Sequence, residues 1–301
     1  MTHFAWIGLG NMGAPMAGNL VKAGHTVTGF DLSEKAVQTA VEHGVTAAGS
    51  VAEAVQDADV VITMLPKGEH VREVYTQDGG VFASARQGTL LMDSSTVDIE
   101  TSQWCHDEAP KHGYRFVDSP VSGGISGAAA GTLAFMIGGE EKDVAEAMEH
   151  VKPMAGNVFN AGGATAGIAA KIANNMMLFI AQMACSEGSQ LAKHLGLDPK
   201  TFWEIASASS GRSWPQQTWY PVAGIIDSAA ANNDFEATFR ADLAIKDVSL
   251  ALAAGEKAGL HLEAATLACE QLNRLADEGL GDKDCSLVVK YVTPGRTQEE
   301  I

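Results

Sequence analysis

A glycine turn close to the amino terminus restricts the possible folds of this chain more than any other part of its sequence. The turn, Gly8-Leu9-Gly10-Asn11-Met12-Gly13, follows the apolar run Phe4 to Ile7 and precedes an expected helix from Ala14 to Ala23. In such a strand–turn–helix unit the glycines let the backbone approach a pyrophosphate, and the helix N-terminus supplies N–H groups. GxGxxG alone is weak evidence in a chain with 32 glycines. With this context, we predict that Gly8, Gly10, Asn11, Met12 and Gly13 bind a dinucleotide.

An acidic residue lies where the ribose of that dinucleotide would be bound. The expected second strand, His25 to Phe30, ends at Asp31, which is 18 positions after Gly13 (31 − 13). A spacing of about 20 is typical of the acid that accepts a hydrogen bond from the ribose 2′-hydroxyl. The other interpretation of Asp31 is an N-cap for a helix beginning near Glu34. Residues 29–33 include no arginine that could bind a 2′-phosphate, so the pattern favours NAD over NADP.

Apolar strands and helices continue to alternate after this unit. Further strands are expected at Val60–Met64, Thr89–Met92, Arg115–Val117, Leu133–Ile137 and Val158–Asn160, with helices at Val51–Gln56 and Glu141–Met148. The segments that follow the first three of these strands begin at Leu65-Pro66, at Asp93-Ser94-Ser95-Thr96 and at Asp118, whose loop runs to Gly124. In a doubly wound sheet such strand ends line the ligand crevice. We therefore predict an α/β Rossmann-type doubly wound sheet domain over residues 1–163, with Leu65, Pro66 and Thr96 beside the cofactor.

One charged residue, Lys171, stands in the otherwise uncharged stretch from Pro153 to Ser186. From about Thr165 onward the residues are good helix formers, so we expect one long, nearly all-apolar and buried helix, assigned to residues 164–195 between two domains. On it Gly167, Lys171 and Asn175 share one face. A membrane span is disfavoured because the uncharged run is short and contains Asn174, Asn175 and Gln182. A lysine that snorkels to water stays a second interpretation.

The remainder of the chain, residues 196–301, is predicted to be an all-α domain. Helices are expected at Pro199–Ala208, Leu243–Ala258 and Leu262–Glu278. Between the first two, Ser209 to Asp234 contains too many helix breakers for a regular element, and we interpret it as an active-site wall that includes Trp214. Lys246-Asp247 on the following helix is either part of the site or an exposed ion-pairing face.

Composition narrows the class of protein. The 301-residue chain is 46% hydrophobic and has a net charge of −17, which disfavours nucleic-acid and membrane partners. The four cysteines have no CxxC spacing, and the amino terminus lacks the pattern of a signal peptide, so a cytoplasmic protein with reduced thiols is expected. No metal site is expected, because HExxH is absent and Cys105, His106 and His112 lack zinc-ligand spacing.

Several motifs together resemble the β-hydroxyacid dehydrogenase family over nearly the whole chain, and within it the 3-hydroxyisobutyrate branch. They are the extended glycine turn Gly8 to Ala17, the run Asp118-Ser119-Pro120-Val121-Ser122-Gly123-Gly124 continuing through Gly127-Ala128 to Gly131-Thr132-Leu133, Lys171 with Asn174-Asn175, Lys246-Asp247, Thr96, and the loop segments Ser210–Trp214 and Tyr220–Val222. Two positions depart from the family pattern. Glycine is frequent where Thr165 stands, and methionine is frequent where Ala244 stands.

The resemblance implies an activity and a set of roles. Lys171 would be the catalytic lysine and Asn175 a substrate-orienting amide, Ser122, Gly123 and Gly124 would bind the substrate carboxylate with Trp214 nearby, and Thr96 and Lys246 would lie beside NAD. The implied reaction is NAD-dependent oxidation of a small 3-hydroxy carboxylate to its semialdehyde. Alternatives are an L-serine dehydrogenase, a tartronate semialdehyde reductase, or a non-catalytic dinucleotide sensor. The apolar C-terminal helices suggest a homodimer or homotetramer.

Overall fold

A computed structural model describes residues 1–293 of the chain. The chain divides into two compact units, one of residues 1–171 and one that begins at residue 172. The first unit contains the sheet and the second is helical. The predicted fold class, a Rossmann-type sheet domain followed by an all-α domain, is confirmed.

The sheet of the first unit is mostly parallel. Its strands are β1 (His3–Ile7), β2 (Thr26–Phe30), β3 (Thr46–Ala47), β4 (Val60–Thr63), β5 (Leu90–Asp93), β6 (Arg115–Asp118), β7 (Val121–Ser122), β8 (Leu133–Gly139) and β9 (Ala155–Gly162). Their order is β3-β2-β1-β4-β5-β6-β8-β7, and β9 pairs with β8. All residues of β4 and β5 are buried, which explains why these strands are unbroken apolar runs rather than alternating ones.

The strand register brings four strand ends to one edge of the sheet. Ile7 of β1 pairs with Thr63 of β4, Thr63 pairs with Asp93 of β5, and Asp93 pairs with Asp118 of β6. Because these strands are parallel, the segments that follow them all leave the sheet at this edge. The glycine turn and the three loops singled out from the sequence are thus neighbours in the first unit.

Helices connect the strands of the first unit. They are α1 (Gly13–Lys22), α2 (Glu34–Glu42), α3 (Val51–Val55), α4 (Gly68–Thr76), α5 (Val81–Ser84), α6 (Ile99–Glu108), α7 (Gly124–Ala130) and α8 (Glu141–Val151). Local sequence explains several of the starts. The side chains of Ser33, Ser50 and Asp98 accept a backbone N–H at the start of α2, α3 and α6, respectively.

The second unit is built from helices around an aromatic cluster. Helix α9 (Ala166–His194) begins in the first unit and continues into the second, where α10 (Pro199–Ser207), α11 (Trp214–Thr218), α12 (Ala241–Lys257) and α13 (Glu263–Asp277) follow. Phe179, Trp219 and Phe239 pack against one another with ring centroids 5.6–6.4 Å apart. Buried Asp284 accepts hydrogen bonds from the backbone N–H groups of Thr238 and Phe239, and so fixes the segment that leads into α12.

The structure corrects two predictions of local structure. The segment from Ser209 to Asp234 is not wholly irregular, because α11 forms at Trp214–Thr218 and a short 3₁₀ helix at Ala230–Asn233. The side chain of Ser213 caps α11 by accepting the N–H of Gln216. This serine is a helix-start signal in the sequence, but the many helix breakers in the segment favoured an irregular loop. The loop after Asp118 also contains more structure than expected, namely β7 and α7, and β7 and β6 both pair with β8 in antiparallel orientation.

Helix α9 is less buried than its apolar composition predicted. Met177 is 66% exposed and Leu191 is 62% exposed, whereas Gln182 and Ser186 are buried. By length and composition alone, α9 is also apolar enough to cross a membrane, although a core helix of a soluble protein passes the same test. The absence of membrane partners therefore stays a prediction.

Candidate active site

The glycine turn has the shape that a dinucleotide requires. A Cβ atom at Gly8, whose φ is +97°, would lie 2.3 Å from the carbonyl oxygen of Met64, and one at Gly13 would lie 2.0 Å from the carbonyl oxygen of Gly8. By contrast, nothing lies within 4 Å of the Cβ position of Gly10, so this face of the turn is open to a ligand. No side chain caps the start of α1 at Met12. These features fit a pyrophosphate bound at the helix N-terminus.

Asp31 fastens the glycine turn to the end of β2. Its Oδ2 accepts the N–H of Leu9 at 2.7 Å, and its Oδ1 accepts the N–H of Ser33 at 2.8 Å. Ser33, not Asp31, is the N-cap of α2, so the interpretation of Asp31 as that cap is wrong. A carboxylate has about four lone-pair sites, so Asp31 retains capacity to accept a ribose hydroxyl.

A buried carboxylate ties together the loops that follow β4 and β5. Asp93 Oδ1 accepts hydrogen bonds from the hydroxyls of Thr63 at 2.7 Å and Ser95 at 2.6 Å. The Ser95 hydroxyl oxygen accepts the N–H of Leu65 at 2.8 Å. Burial raises the pKa of the Asp93 carboxyl above its ordinary value. The hydrogen bond between Leu65 and Ser95 thus joins two segments. One continues with Pro66, and the other continues with half-buried Thr96.

The proposed carboxylate pocket is built on two glycines with positive φ. Gly123 has φ +133° and Gly124 has φ +67°, backbone conformations that other residues rarely adopt. A Cβ atom at Gly123 would also lie 3.0 Å from the side chain of Leu133. A residue other than glycine would therefore be strained at either glycine position. Ser122, at the end of β7, is half-buried.

The start of α9 is held by Asp118, the last residue of β6. Asp118 Oδ2 accepts the N–H of Ile168 at 2.7 Å, and Oδ1 accepts the N–H of Thr165 at 3.1 Å. His106, on α6, lies 2.7 Å from the same Oδ1. The sequence indicated neither this role of Asp118 nor His106, which was considered only as a zinc ligand and rejected. No group of three or more potential metal ligands occurs within residues 1–293.

Lys171 is the sixth residue of α9 and is 8% exposed, and Asn175, one helical turn later, is 2% exposed. The spacing of four places both on one face of the helix. In the second unit, the side chain of Asn175 is fixed at both ends. Its Nδ2 donates to Asp247 Oδ2 at 2.6 Å, and its Oδ1 accepts from Asn174 at 3.1 Å. This arrangement defines which way the amide oxygen and nitrogen of Asn175 point.

Asp247 is a residue whose importance the sequence indicated only by its place next to Lys246. It is 4% exposed, and its Oδ1 lies 3.3 Å from the ammonium nitrogen of Lys246. The alternative of an exposed ion-pairing face is therefore wrong for Asp247. The carboxylate instead joins Lys246 on α12 to Asn175 on α9 within the second unit.

Trp214 lies at the first position of α11 and is 43% exposed. Its ring meets Trp219 edge to face, with centroids 4.8 Å apart, so it is an exposed aromatic side chain supported by the cluster of the second unit. Arg212, in the loop before α11, is exposed.

A dinucleotide-binding sheet domain, a glycine turn and a separate helical unit define the class of NAD-dependent dehydrogenases. Comparison with known families supports this class for both parts of the chain. Residues 3–163 match the NAD-binding domain of 6-phosphogluconate dehydrogenase, and residues 165–292 match a domain described as the NAD-binding part of NADP-dependent 3-hydroxyisobutyrate dehydrogenase.

Individual relatives narrow the class. A probable 3-hydroxyisobutyrate dehydrogenase of Mycobacterium tuberculosis is 46% identical over 271 residues, covering 89% of this chain and 91% of that protein. An NAD-dependent L-serine dehydrogenase of Pseudomonas aeruginosa is 40% identical over 302 residues, covering 99% of this chain and 100% of the relative. A solved structure of 3-hydroxyisobutyrate dehydrogenase of M. tuberculosis with L-serine has a TM-score of 0.89 at 43% identity and covers 98% of this chain and 100% of that one. The chain belongs to the 3-hydroxyisobutyrate dehydrogenase family, a branch of the β-hydroxyacid dehydrogenases.

Proposed function

We propose that this protein uses NAD to oxidise the primary alcohol of a small 3-hydroxy carboxylate to its semialdehyde, with 3-hydroxyisobutyrate as the first choice of substrate. The observation that carries the proposal is a buried lysine, Lys171, followed one turn later on the same helix by an amide, Asn175, whose orientation is fixed by Asp247. Relatives named 3-hydroxyisobutyrate dehydrogenase support the choice of substrate.

The site residues have distinct roles in this proposal. NAD, when bound, accepts the hydride, and the protein supplies orientation and proton transfer. Ser122 and the backbone N–H groups of Gly123 and Gly124 bind the carboxylate, and Trp214 forms a wall of the substrate site. Asn175 orients the alcohol, and the neutral amine of Lys171 takes the alcohol proton as the hydride leaves. A positioned base of this kind contributes about 10²–10⁴-fold to the rate.

The remaining cofactor contacts follow the dinucleotide from end to end. The glycine turn, residues 8–13, binds the pyrophosphate and Asp31 the ribose. Leu65, Pro66 and Thr96 lie beside the nicotinamide half, and Lys246 contributes a positive charge on the cofactor side. Support for this assignment comes from the strand register, which places the end of β1 beside those of β4 and β5.

L-serine is a second candidate substrate. It is a 3-hydroxy carboxylate of similar size, one relative is named an NAD-dependent L-serine dehydrogenase, and the similar solved structure from M. tuberculosis is described with L-serine. The additional ammonium group of serine would need a partner that 3-hydroxyisobutyrate does not need. The two substrates therefore test different features of the pocket.

A panel of 3-hydroxy acids with NAD, followed by NADH absorbance, tests the proposal. We expect the highest kcat/KM for 3-hydroxyisobutyrate, lower values for L-serine, and no turnover of 2-hydroxy acids, because their alcohol lies one carbon closer to the carboxylate. Turnover of none of the 3-hydroxy acids would contradict the proposal. A higher kcat/KM for L-serine than for 3-hydroxyisobutyrate would make L-serine the preferred substrate.

The wider setting is also a proposal. Oxidation of 3-hydroxyisobutyrate is a step of valine degradation, and we place the protein in the cytoplasm, in accordance with its four free cysteines. We propose a homodimer or homotetramer, supported by the exposed apolar side chains Met177, Leu191 and Leu195 on and just after α9.

A further inference from the structure

Three elements of the first unit meet at the carboxylate of Asp118. The aspartate ends β6, its Oδ1 lies 2.7 Å from Nε2 of His106 on α6, and its Oδ2 accepts the N–H of Ile168 in the first turn of α9 at 2.7 Å. Both side chains are almost completely enclosed, with exposures of 9% for His106 and 3% for Asp118. The pair lies outside the residues to which the proposed reaction assigns a role.

The residues next to the start of α9 are poorly suited to cap it. Thr165, directly before the helix, has φ +65°, outside the extended region in which an N-cap side chain usually accepts a helix N–H, and residues 161–164 have no side-chain oxygen. Asp118, at the end of strand β6, supplies an acceptor for the N–H groups at the helix start. Its negative charge lies at the positive end of the helix dipole. The cap thus ties the start of α9 to the sheet rather than to the preceding loop.

Close packing leaves the helix start little freedom to shift. A Cβ atom at Gly167 would lie 2.3 Å from the carbonyl oxygen of Met136 and 2.8 Å from Asp118 Oδ2. His106 in turn packs edge to face on Phe116, with centroids 4.7 Å apart. The N–H of Thr165 is closer to Asp118 Oδ1, at 3.1 Å, than to His106 Nε2, at 3.3 Å. Since a carboxylate can only accept, we assign the hydrogen to Nε2 of His106, which then donates to Asp118 Oδ1 and holds the carboxylate in place.

We propose that His106 and Asp118 are positioning residues that set the location of the Lys171 amine. Lys171 follows Ile168 by three residues, a rise of about 4.5 Å along the helix axis, so a displacement of the capped turn moves the lysine with it. The inference rests on the proposed function in taking Lys171 as the proton acceptor. His106 acts through Asp118 and the helix, and touches neither substrate nor cofactor.

The experiment compares His106→Ala and His106→Gln with a control, His150→Ala, in the full chain. Glutamine carries its Nε2 at the same number of bonds from Cβ as histidine, so it can still donate to Asp118. His150 is another enclosed histidine of the first unit, 19% exposed, packed edge to face on Phe4 at 5.4 Å and next to Glu146, but on α8. Its replacement removes a ring of the same size at a different place.

We expect His106→Ala to lower kcat by about 10- to 100-fold, since misplacement of a reacting group by about 1 Å can cost 100-fold. The KM for NAD should change less than about two-fold. Hydrogen exchange of the backbone amides in residues 165–168 should become faster. His106→Gln should recover most of kcat and of the slow exchange. His150→Ala should leave kcat and exchange in residues 165–168 as in the wild type, even if its Tm falls.

Two results would overturn the inference. One is a folded His106→Ala variant with wild-type kcat, whatever its exchange rates. The other is a His150→Ala variant that loses as much kcat as His106→Ala, because the loss would then follow general destabilisation. If the wild type oxidises no 3-hydroxy acid, the proposed function fails separately. Unchanged exchange in His106→Ala would then reject the anchoring pair, and faster exchange limited to the start of α9 would support it.

Discussion

Thr165, directly ahead of the lysine helix, has a backbone conformation that favours glycine. Its φ is +65°, in the left-handed region, where a β-branched residue is strained. The resemblance to the family already indicated that glycine is frequent at this position, and the positive φ supplies the physical reason. The N–H of Thr165 also donates to Asp118, so the strained residue belongs to the anchored start of α9.

Thr165→Gly should therefore stabilise the protein. Relief of a strained left-handed residue is worth about 1–3 kcal/mol, from which the larger entropy of glycine in the unfolded chain removes about 0.5–1 kcal/mol. We expect the free energy of unfolding, measured by urea denaturation, to rise by about 1 kcal/mol. The control is Ala164→Gly, at a neighbouring residue without positive φ, which should lower stability. Equal losses in both variants would show that Thr165 is not strained.

We propose that Asp31 determines the choice between NAD and NADP. Its carboxylate would repel a 2′-phosphate, and neighbouring residues 29–33 offer no arginine to bind one. We expect wild-type kcat/KM to be higher with NAD, and Asp31→Ala to reduce the NAD-to-NADP ratio by at least about 10-fold, equivalent to 1.4 kcal/mol. The control is Glu34→Ala, which removes a nearby exposed carboxylate and should leave the ratio unchanged. A wild type that prefers NADP would contradict the assignment.

Residues whose role depends on local geometry were predictable, and residues whose role depends on distant partners were not. The positive φ of Gly8 and the close approach of Gly13 to the carbonyl oxygen of Gly8 follow from the turn that their spacing requires. His106 gave no comparable signal, because its partner Asp118 is 12 residues away and the amides that Asp118 caps are about 50 residues beyond. Such a contact exists only after the sheet has formed.

At the scale of elements, strand β5 ends in a carboxylate that folding makes harder to ionise. Asp93 is 3% exposed, and burial raises its pKa despite the hydrogen bonds from Thr63 and Ser95. In the unfolded chain the same group has an ordinary pKa of about 3.9, so it loses its proton at lower pH than in the folded state. Between the two values the folded state binds more protons, and the free energy of unfolding falls as pH rises through this window.

Asp93→Asn should remove this pH dependence. Its amide oxygen can accept the two hydroxyl donors, from Thr63 and Ser95, and no charge is buried at any pH. We expect the stability of the variant relative to wild type to increase as the pH rises above the ordinary Asp pKa of about 3.9. Asp59→Asn is the control of opposite sign: a hydrogen bond from the His3 N–H lowers the pKa of Asp59, so ionisation there is favourable. Its loss should cost stability progressively as the pH rises towards about 3.9, and the cost should be constant above that pH. A constant difference between Asp93→Asn and wild type would contradict the prediction.

Elements with a strong periodic signal were predicted, and short or unusual ones were missed. The buried strands β4 and β5 are continuous apolar runs, so they could be recognised as strands from the sequence. Strand β7 has two residues and α7 consists mainly of glycine and alanine, so neither has a pattern of its own. The prediction that α9 is buried failed for a different reason. Its buried face contains Lys171, Asn175 and Gln182, whereas Met177 faces outward, so the apolar composition did not indicate which residues are buried.

At the scale of the whole molecule, the residues singled out above fall into both units. The first unit contains the glycine turn, the strand-end loops and the capped start of α9, and the second contains the fixed amide of Asn175 and the Lys246–Asp247 pair. The predicted boundaries at residues 163 and 195 remain a proposal. With a net charge of −17, the chain must concentrate positive charge locally to bind an anionic ligand, and we propose that Lys246 supplies part of that charge on the cofactor side.

The central proposal is that Lys171 accepts the alcohol proton, and kcat of Lys171→Arg with NAD and 3-hydroxyisobutyrate tests it most directly. Arginine keeps a positive charge but does not give up its proton near neutral pH, so it can anchor an anion but cannot act as a base. The control is Lys193→Arg, the same exchange in the last turn of α9. We predict that Lys171→Arg loses at least about 100-fold in kcat while its Kd for NAD and the kcat of the control stay at wild-type values. A Lys171→Arg enzyme with near-native kcat would contradict the account.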